Sequence, residues 1–170
     1  MMTIRISTMR YMKHITLTLS LLMLGSVAQA QVNPALSEEF GADIEAARSI
    51  LNTERKILIM KEMQLTPEQA EAFWPLYDEY VVERRAVGDM RVKVITDYAA
   101  NYATMTNELA RQIADESLDY ETKKLKLKKK YVKKFRKILP DIKVVRYFQL
   151  EGKLDAIIDF DLASQIPLME

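Results

Sequence analysis

The sequence predicts an all-α protein of about four helices, and three observations carry that expectation. Beyond residue 30, glycine stands only at Gly41, Gly88 and Gly152, and proline only at Pro34, Pro67, Pro75, Pro140 and Pro167. Such sparse punctuation leaves long uninterrupted segments, which suits helices better than strands joined by turns. Within those segments apolar residues return every three or four positions, the period of one helix face. One helix start, Leu65-Thr66-Pro67-Glu68-Gln69, is written out in full.

The N-terminus reads as a targeting segment. Arg5, Arg10 and Lys13 form a positive lead with no acidic residue, Ile15 to Val27 is an apolar run, and Ala28-Gln29-Ala30 has the small-x-small form of a cleavage site. The run is too short for the ~20 residues a bilayer-spanning helix needs. Residues 1–30 are therefore expected to be a cleaved signal peptide, and residues 31–170 a single helical domain exported from the cytoplasm. Cleavage would remove His14, the only histidine, and the chain has no cysteine. A chain with neither residue builds no usual zinc site, Cys nucleophile or Ser-His-Asp triad. The expectation is a non-enzymatic protein with no cofactor and no metal, its fold resting on packing alone.

The first helix is expected from about Ser37 to Met63, with Leu36, Phe40, Ile44, Ala47, Leu51 and Leu58 along one face. The second opens at Thr66. Its hydroxyl suits the amide three residues on, Gln69 suits the return bond, Pro67 falls where a missing N–H costs nothing, and Leu65 can pack on the first turn. This helix carries Phe73, Trp74, Tyr77 and Tyr80, an aromatic group at core spacing. It is expected to run to about Ala114, with Pro75 as a kink and Gly88 as a softer break. Leu118-Asp119-Tyr120-Glu121-Thr122 repeats the order of apolar residue, cap and helix, without the Gln, and would open the third helix. Leu118, Leu125, Val132 and Leu139 then recur every seventh residue, a seam for a partner helix, until Pro140. A last helix is expected from Ile142 to about Gln165.

Charge is uneven along the chain. Residues 31–122 hold 9 basic and 18 acidic side chains, whereas residues 123–170 hold 13 basic and 6 acidic. The basic run, with Lys128, Lys129, Lys130, Lys133 and Lys134 at its centre, either balances the acidic helices or forms a surface for clients, partners or anionic lipid heads. Nucleic acid is not an expected partner of an exported chain. Arg84 and Arg91 interrupt an apolar stripe, so they either pair with acids or face an open surface. Glu151, Asp155 and Asp159 read as a solvated acidic face that pairs with the lysines of the third helix.

Leu65-Thr66-Pro67-Glu68-Gln69 resembles the Leu-Thr-x-x-Gln motif of the Spy/CpxP family of small periplasmic proteins. The signal peptide, the lack of cysteine and the long helices agree with that resemblance. Phe73-Trp74-Pro75-Leu76-Tyr77, Arg136-Lys137-Ile138-Leu139-Pro140 and Ile166-Pro167-Leu168 look like a poorly characterised branch of it. The resemblance implies long antiparallel helical hairpins in an elongated, intertwined homodimeric cradle. It also implies ATP-independent holding of unfolded or stressed envelope proteins. The alternative it implies is regulation of a membrane stress sensor, whether a sensor kinase or an anti-sigma factor. The motif residues are Leu65, Thr66 and Gln69, and the candidate client or partner surface is Arg84, Arg91, Lys128, Lys129, Lys130, Lys133 and Lys134.

Overall fold

The computed structural model describes the backbone of residues 34–169, with side chains at Ala46 and from Arg48 onward. The expected signal peptide and its cleavage point lie outside the described residues, as do the side chains of Leu36, Phe40, Ile44 and Ala47. Four α-helices make up the described chain: α1, Pro34–Met63; α2, Pro67–Asn101; α3, Asn107–Phe135; and α4, Asp141–Ala163. A short 3-10 turn, Tyr102–Thr104, joins α2 to α3, and no strand occurs among the described residues. No helix among them is long and apolar enough to cross a membrane.

The helix ends follow from local chemistry. At α2 the full capping box forms: the Gln69 amide donates to Thr66 Oγ1 at 3.3 Å, and the Thr66 amide donates to Gln69 Oε1 at 3.2 Å. Leu65 packs against the core beside this cap. The end of α1 is closed from another element. Gln64 turns into the left-handed region at φ 47°, which ends the helix. Lys143 Nζ then donates to the carbonyls of Met63 at 2.8 Å and Gln64 at 2.7 Å, and Arg146 donates to that of Glu62. Two cations of α4 thus occupy the negative end of the α1 dipole.

The division between α2 and α3 differs from the sequence expectation. The second helix ends at Asn101 rather than near Ala114, and α3 starts at Asn107 rather than after Leu118. Asn101 Nδ2 donates back to the Asp97 carbonyl at 2.8 Å, and Thr106 Oγ1 accepts the Leu109 amide at 3.2 Å. These side chains compete with the backbone for its hydrogen bonds and supply a stop and a start within six residues. Leu118 to Thr122 lies inside α3, so no second helix start exists there. Pro75 and Gly88 both sit within an unbroken α2.

Contacts between distant residues set the topology. Residues 79, 83 and 93 of α2 meet 134, 130 and 116 of α3, so these helices run in opposite directions. Residues 55 and 62 of α1 meet 151 and 146 of α4, again in opposite directions. The core joins all four helices at the end where the α1–α2 and α3–α4 turns lie. Ile59, Met63, Phe73, Tyr77, Tyr80, Leu127, Tyr131, Phe135, Leu139, Val144 and Tyr147 form it. Phe73 is central, with ring centroids 5.0 Å from Trp74, 5.3 Å from Phe135 and 5.3 Å from Tyr147. The Trp74 and Tyr147 contacts are edge-on, a geometry favourable for aromatic pairs. The expected aromatic group of α2 is therefore core, with Trp74 at its half-buried margin.

The first half of the seven-residue seam is offset from the real contact face of α3. That face is Tyr120, Leu127, Tyr131 and Phe135, while Leu118 is 68% exposed and Leu125 is 53% exposed. Spacings of seven, four and four keep the larger aromatic side chains inward, and they fill the core in place of Leu118 and Leu125. Of the expected seam, Val132 packs against the core and Leu139 is buried within it.

Candidate functional site: an ionic layer beside an open cavity

Beyond the aromatic core the four helices exchange apolar packing for charge. Arg55 of α1, only 4% exposed, donates to Glu151 Oε2 of α4 at 2.7 Å and to Asp155 Oδ1 at 3.2 Å. Glu151 is fully buried, and its second oxygen has no hydrogen-bond partner among the described residues; nor does the Tyr147 hydroxyl one turn earlier. Burial pushes the Glu151 carboxyl upward, against the pull of Arg55 and Arg84. Asp155 is also desolvated, but Arg55, Lys128 and Lys124 outweigh that and hold its carboxyl below the usual range. One carboxylate therefore serves three cations, with Lys128 at 3.1 Å and Lys124 at 3.8 Å.

The layer continues toward the far end of the bundle. Arg84 Nη2 donates to Asn52 Oδ1 at 2.9 Å, and Arg84 approaches Glu151 no closer than 3.8 Å. Arg91 pairs with Asp159 and lies 5.9 Å from the centre of the Tyr120 ring. Lys124 reaches Asp159 at 3.5 Å. Next to these groups the helices leave a cavity of about 180 Å³. Tyr80, Val87, Gly88, Tyr120, Leu127 and Ile158 give it apolar walls, and the cations above line much of the rest, together with Asn52, Asp155 and Asp159.

The residues singled out from the sequence fall into four sets. Leu65, Thr66 and Gln69 form the α2 cap and nothing else. Arg84, Arg91 and Lys128 belong to the interior ionic layer, where they meet acids or Asn52. Lys130 bonds Glu83 at 2.5 and 2.7 Å, and Lys134 bonds Glu79, so both join α3 to α2 across the surface. Lys129 and Lys133 point outward, exposed and without an ion pair among the described residues. The expected surface of seven cations is thus divided, with five engaged inside the fold.

Arg55 and Glu151 are the central pair; sequence reasoning passed over Arg55 and read Glu151 as part of a solvated face. Arg55 sits four residues from Leu51 and four from Ile59, interrupting an apolar stripe as Arg84 does. The same logic applied to α1 would have found it. Of the solvated face expected, Glu151 is buried and Asp155 largely so, on the side of α4 that also buries Val144 and Tyr147, while Asp159 stays half-exposed. Their expected pairing with α3 lysines does occur, at Lys124 and Lys128. Compared with family models, curated proteins and solved structures, the chain finds no match.

Proposed function

We propose that the protein is an ATP-independent, chaperone-like binding protein of the periplasm that holds unfolded or stressed envelope proteins on the outward face of α3. The observation that carries this reading is the composition of that face. Leu118, Leu125, Lys129 and Lys133 follow at spacings of seven, four and four, which puts them on one side of the helix. All four are exposed, and Lys126 stands beside them. Exposed leucines among cations free of ion pairs offer an unfolded chain both apolar contact and attraction for its acidic stretches. The resemblance of Leu65 to Gln69 to the Leu-Thr-x-x-Gln motif and the export pattern of residues 1–30 support the same reading.

The test is protection of a denatured model protein from aggregation, measured with and without added salt. Reversing Lys126, Lys129 and Lys133 to Glu weakens protection and flattens its salt dependence, since exposed charges act over about 8 Å at physiological salt. The melting point stays unchanged, because none of the three is in an ion pair. Reversing Lys128, Lys130 and Lys134 instead lowers the melting point. Protection per folded molecule that survives the first triple reversal refutes the reading.

A further inference from the structure

We infer that the cavity beside Gly88 is a binding site for a small carboxylate with an apolar body, an anion about the size of benzoate. Three observations meet there. The first is size: a cavity near 150 Å³ accommodates a benzene ring, and this one measures about 180 Å³. The second is the nature of its walls, which set Val87, Leu127 and Ile158 against Arg84, Lys124 and Lys128, with Asp155 and Asp159 beside the lysines. Such a site takes a ligand with one apolar end and one negative end.

The charge around it is incompletely balanced. Arg55, Arg84, Arg91, Lys124 and Lys128 share three carboxylates, those of Glu151, Asp155 and Asp159. Arg84 is the least satisfied: its close partner is the neutral Asn52 at 2.9 Å, and its nearest carboxylate oxygen is 3.8 Å away. A guanidinium offers five N–H donors in a fixed plane that matches a carboxylate two bonds at a time. The donors unused by Asn52 are therefore suited to a ligand carboxylate, with Lys124 and Lys128 as neighbouring charges.

The third observation is Gly88 itself. Glycine in a helix interior costs about 1 kcal/mol relative to alanine. No turn or positive φ requires it here, and a side chain added at this position would meet nothing within 4 Å. Gly88 lines the cavity, so a longer side chain at this position has open space to grow into. This site lies on the inward side of α3, away from the holding face, and does not depend on it.

The experiment titrates the protein with sodium benzoate and follows amide and methyl chemical shifts by NMR, with acetate, benzyl alcohol and inorganic phosphate as comparators. Saturable shifts at residues around the cavity are expected with benzoate. Acetate lacks the ring and benzyl alcohol the charge, so each should bind at least about tenfold more weakly, a difference of about 1.4 kcal/mol. Gly88→Leu should fill the space and abolish binding while the melting point holds or rises. Arg84→Gln, which leaves the cavity open, should weaken benzoate about tenfold or more and leave benzyl alcohol unaffected. Phosphate matching benzoate would reduce the site to general anion screening and overturn the inference. So would benzoate binding undiminished in either variant, or shifts that never saturate.

Discussion

Replacing Arg55 by Met removes the charge facing Glu151 while keeping a side chain of similar length. The consequence can be worked from the burial. Glu151 has no exposed surface, so its carboxylate cannot recover hydration; the nearest remaining cation is Arg84, 3.8 Å away. Breaking a buried pair from one side costs about 3–5 kcal/mol. The carboxyl has one escape, which is to take up a proton. From an ordinary value near 4.5, protonation at pH 7 costs about 3.4 kcal/mol, at about 1.4 kcal/mol per unit. That figure caps the electrostatic part of the loss and gives it a pH signature. A carboxyl whose folded pKa lies above its unfolded value contributes stability below the unfolded value and loses it as pH rises through the folded one. The electrostatic deficit of Arg55→Met relative to wild type should therefore shrink from at most about 3.4 kcal/mol at pH 7 to at most about 1.4 kcal/mol at pH 5.5, because the carboxyl is already raised in the wild type. Urea unfolding at several pH values measures it. The double variant Arg55→Met, Glu151→Leu should recover most of the loss at every pH, because both charges are gone. A deficit independent of pH would show that Glu151 stays ionised without Arg55, and would refute the isolation argued for it.

Other outcomes follow from the caps and the surface pairs. Thr66→Ala and Thr106→Ala should each lower stability by about 1 kcal/mol in chemical denaturation. Asp119→Ala should change it by less than about 0.5 kcal/mol, the usual range for a surface site; the reverse order would restore a helix start at Leu118. Gln64→Gly should raise the denaturation midpoint, by about 1 kcal/mol at most, because glycine adopts the left-handed region without the penalty of a Cβ. Lys130, and then the Tyr131 hydroxyl, hold the Glu83 carboxyl below its ordinary value. Its contribution is present above pH 4.5 and lost as pH falls through the folded value, so Glu83→Gln should lose less stability than wild type between pH 5 and 3. Equal losses in the two proteins would remove Glu83 as a cause of acid sensitivity.

The parts of this molecule readable from sequence are those written in local chemistry. Thr66 to Gln69 carries its whole cap within four residues, and Phe73, Tyr77 and Tyr80 declare an inward face by spacing alone. The α2–α3 boundary was harder because Thr106 is followed by Leu109 where a capping box would have Gln or Glu, so the signal was half strength. The recurrence of Leu118 and Leu125 outweighed it, and both proved exposed. The ionic layer was the least legible. Arg55 and Glu151 are 96 residues apart; the stripe around Arg55 could mark it as an anomaly, but Glu151 looks like an ordinary helical charge until its partner is in place. Arg84 and Arg91 could be marked as anomalies within their own stripe, but their acids lie on another helix.

The fully buried apolar side chains, from Ile59 to Tyr80 and from Tyr131 to Tyr147, all crowd toward one end of the bundle. The opposite end is secured by polar links, such as the Tyr98 and Tyr102 hydroxyls donating to the Pro167 and Leu168 carbonyls at 2.7 Å each. A molecule built this way has a gradient of local stability along its length. Amide protons near Phe73 and Phe135 exchange only when the whole fold opens, whereas those near Tyr102 exchange through small excursions that leave the aromatic end intact. The space beside Gly88 sits between these regimes. Its walls come from both, Tyr80 and Leu127 from the aromatic end and Arg91 and Asp159 from the polar one, so one side of the space should loosen while the other stays in place.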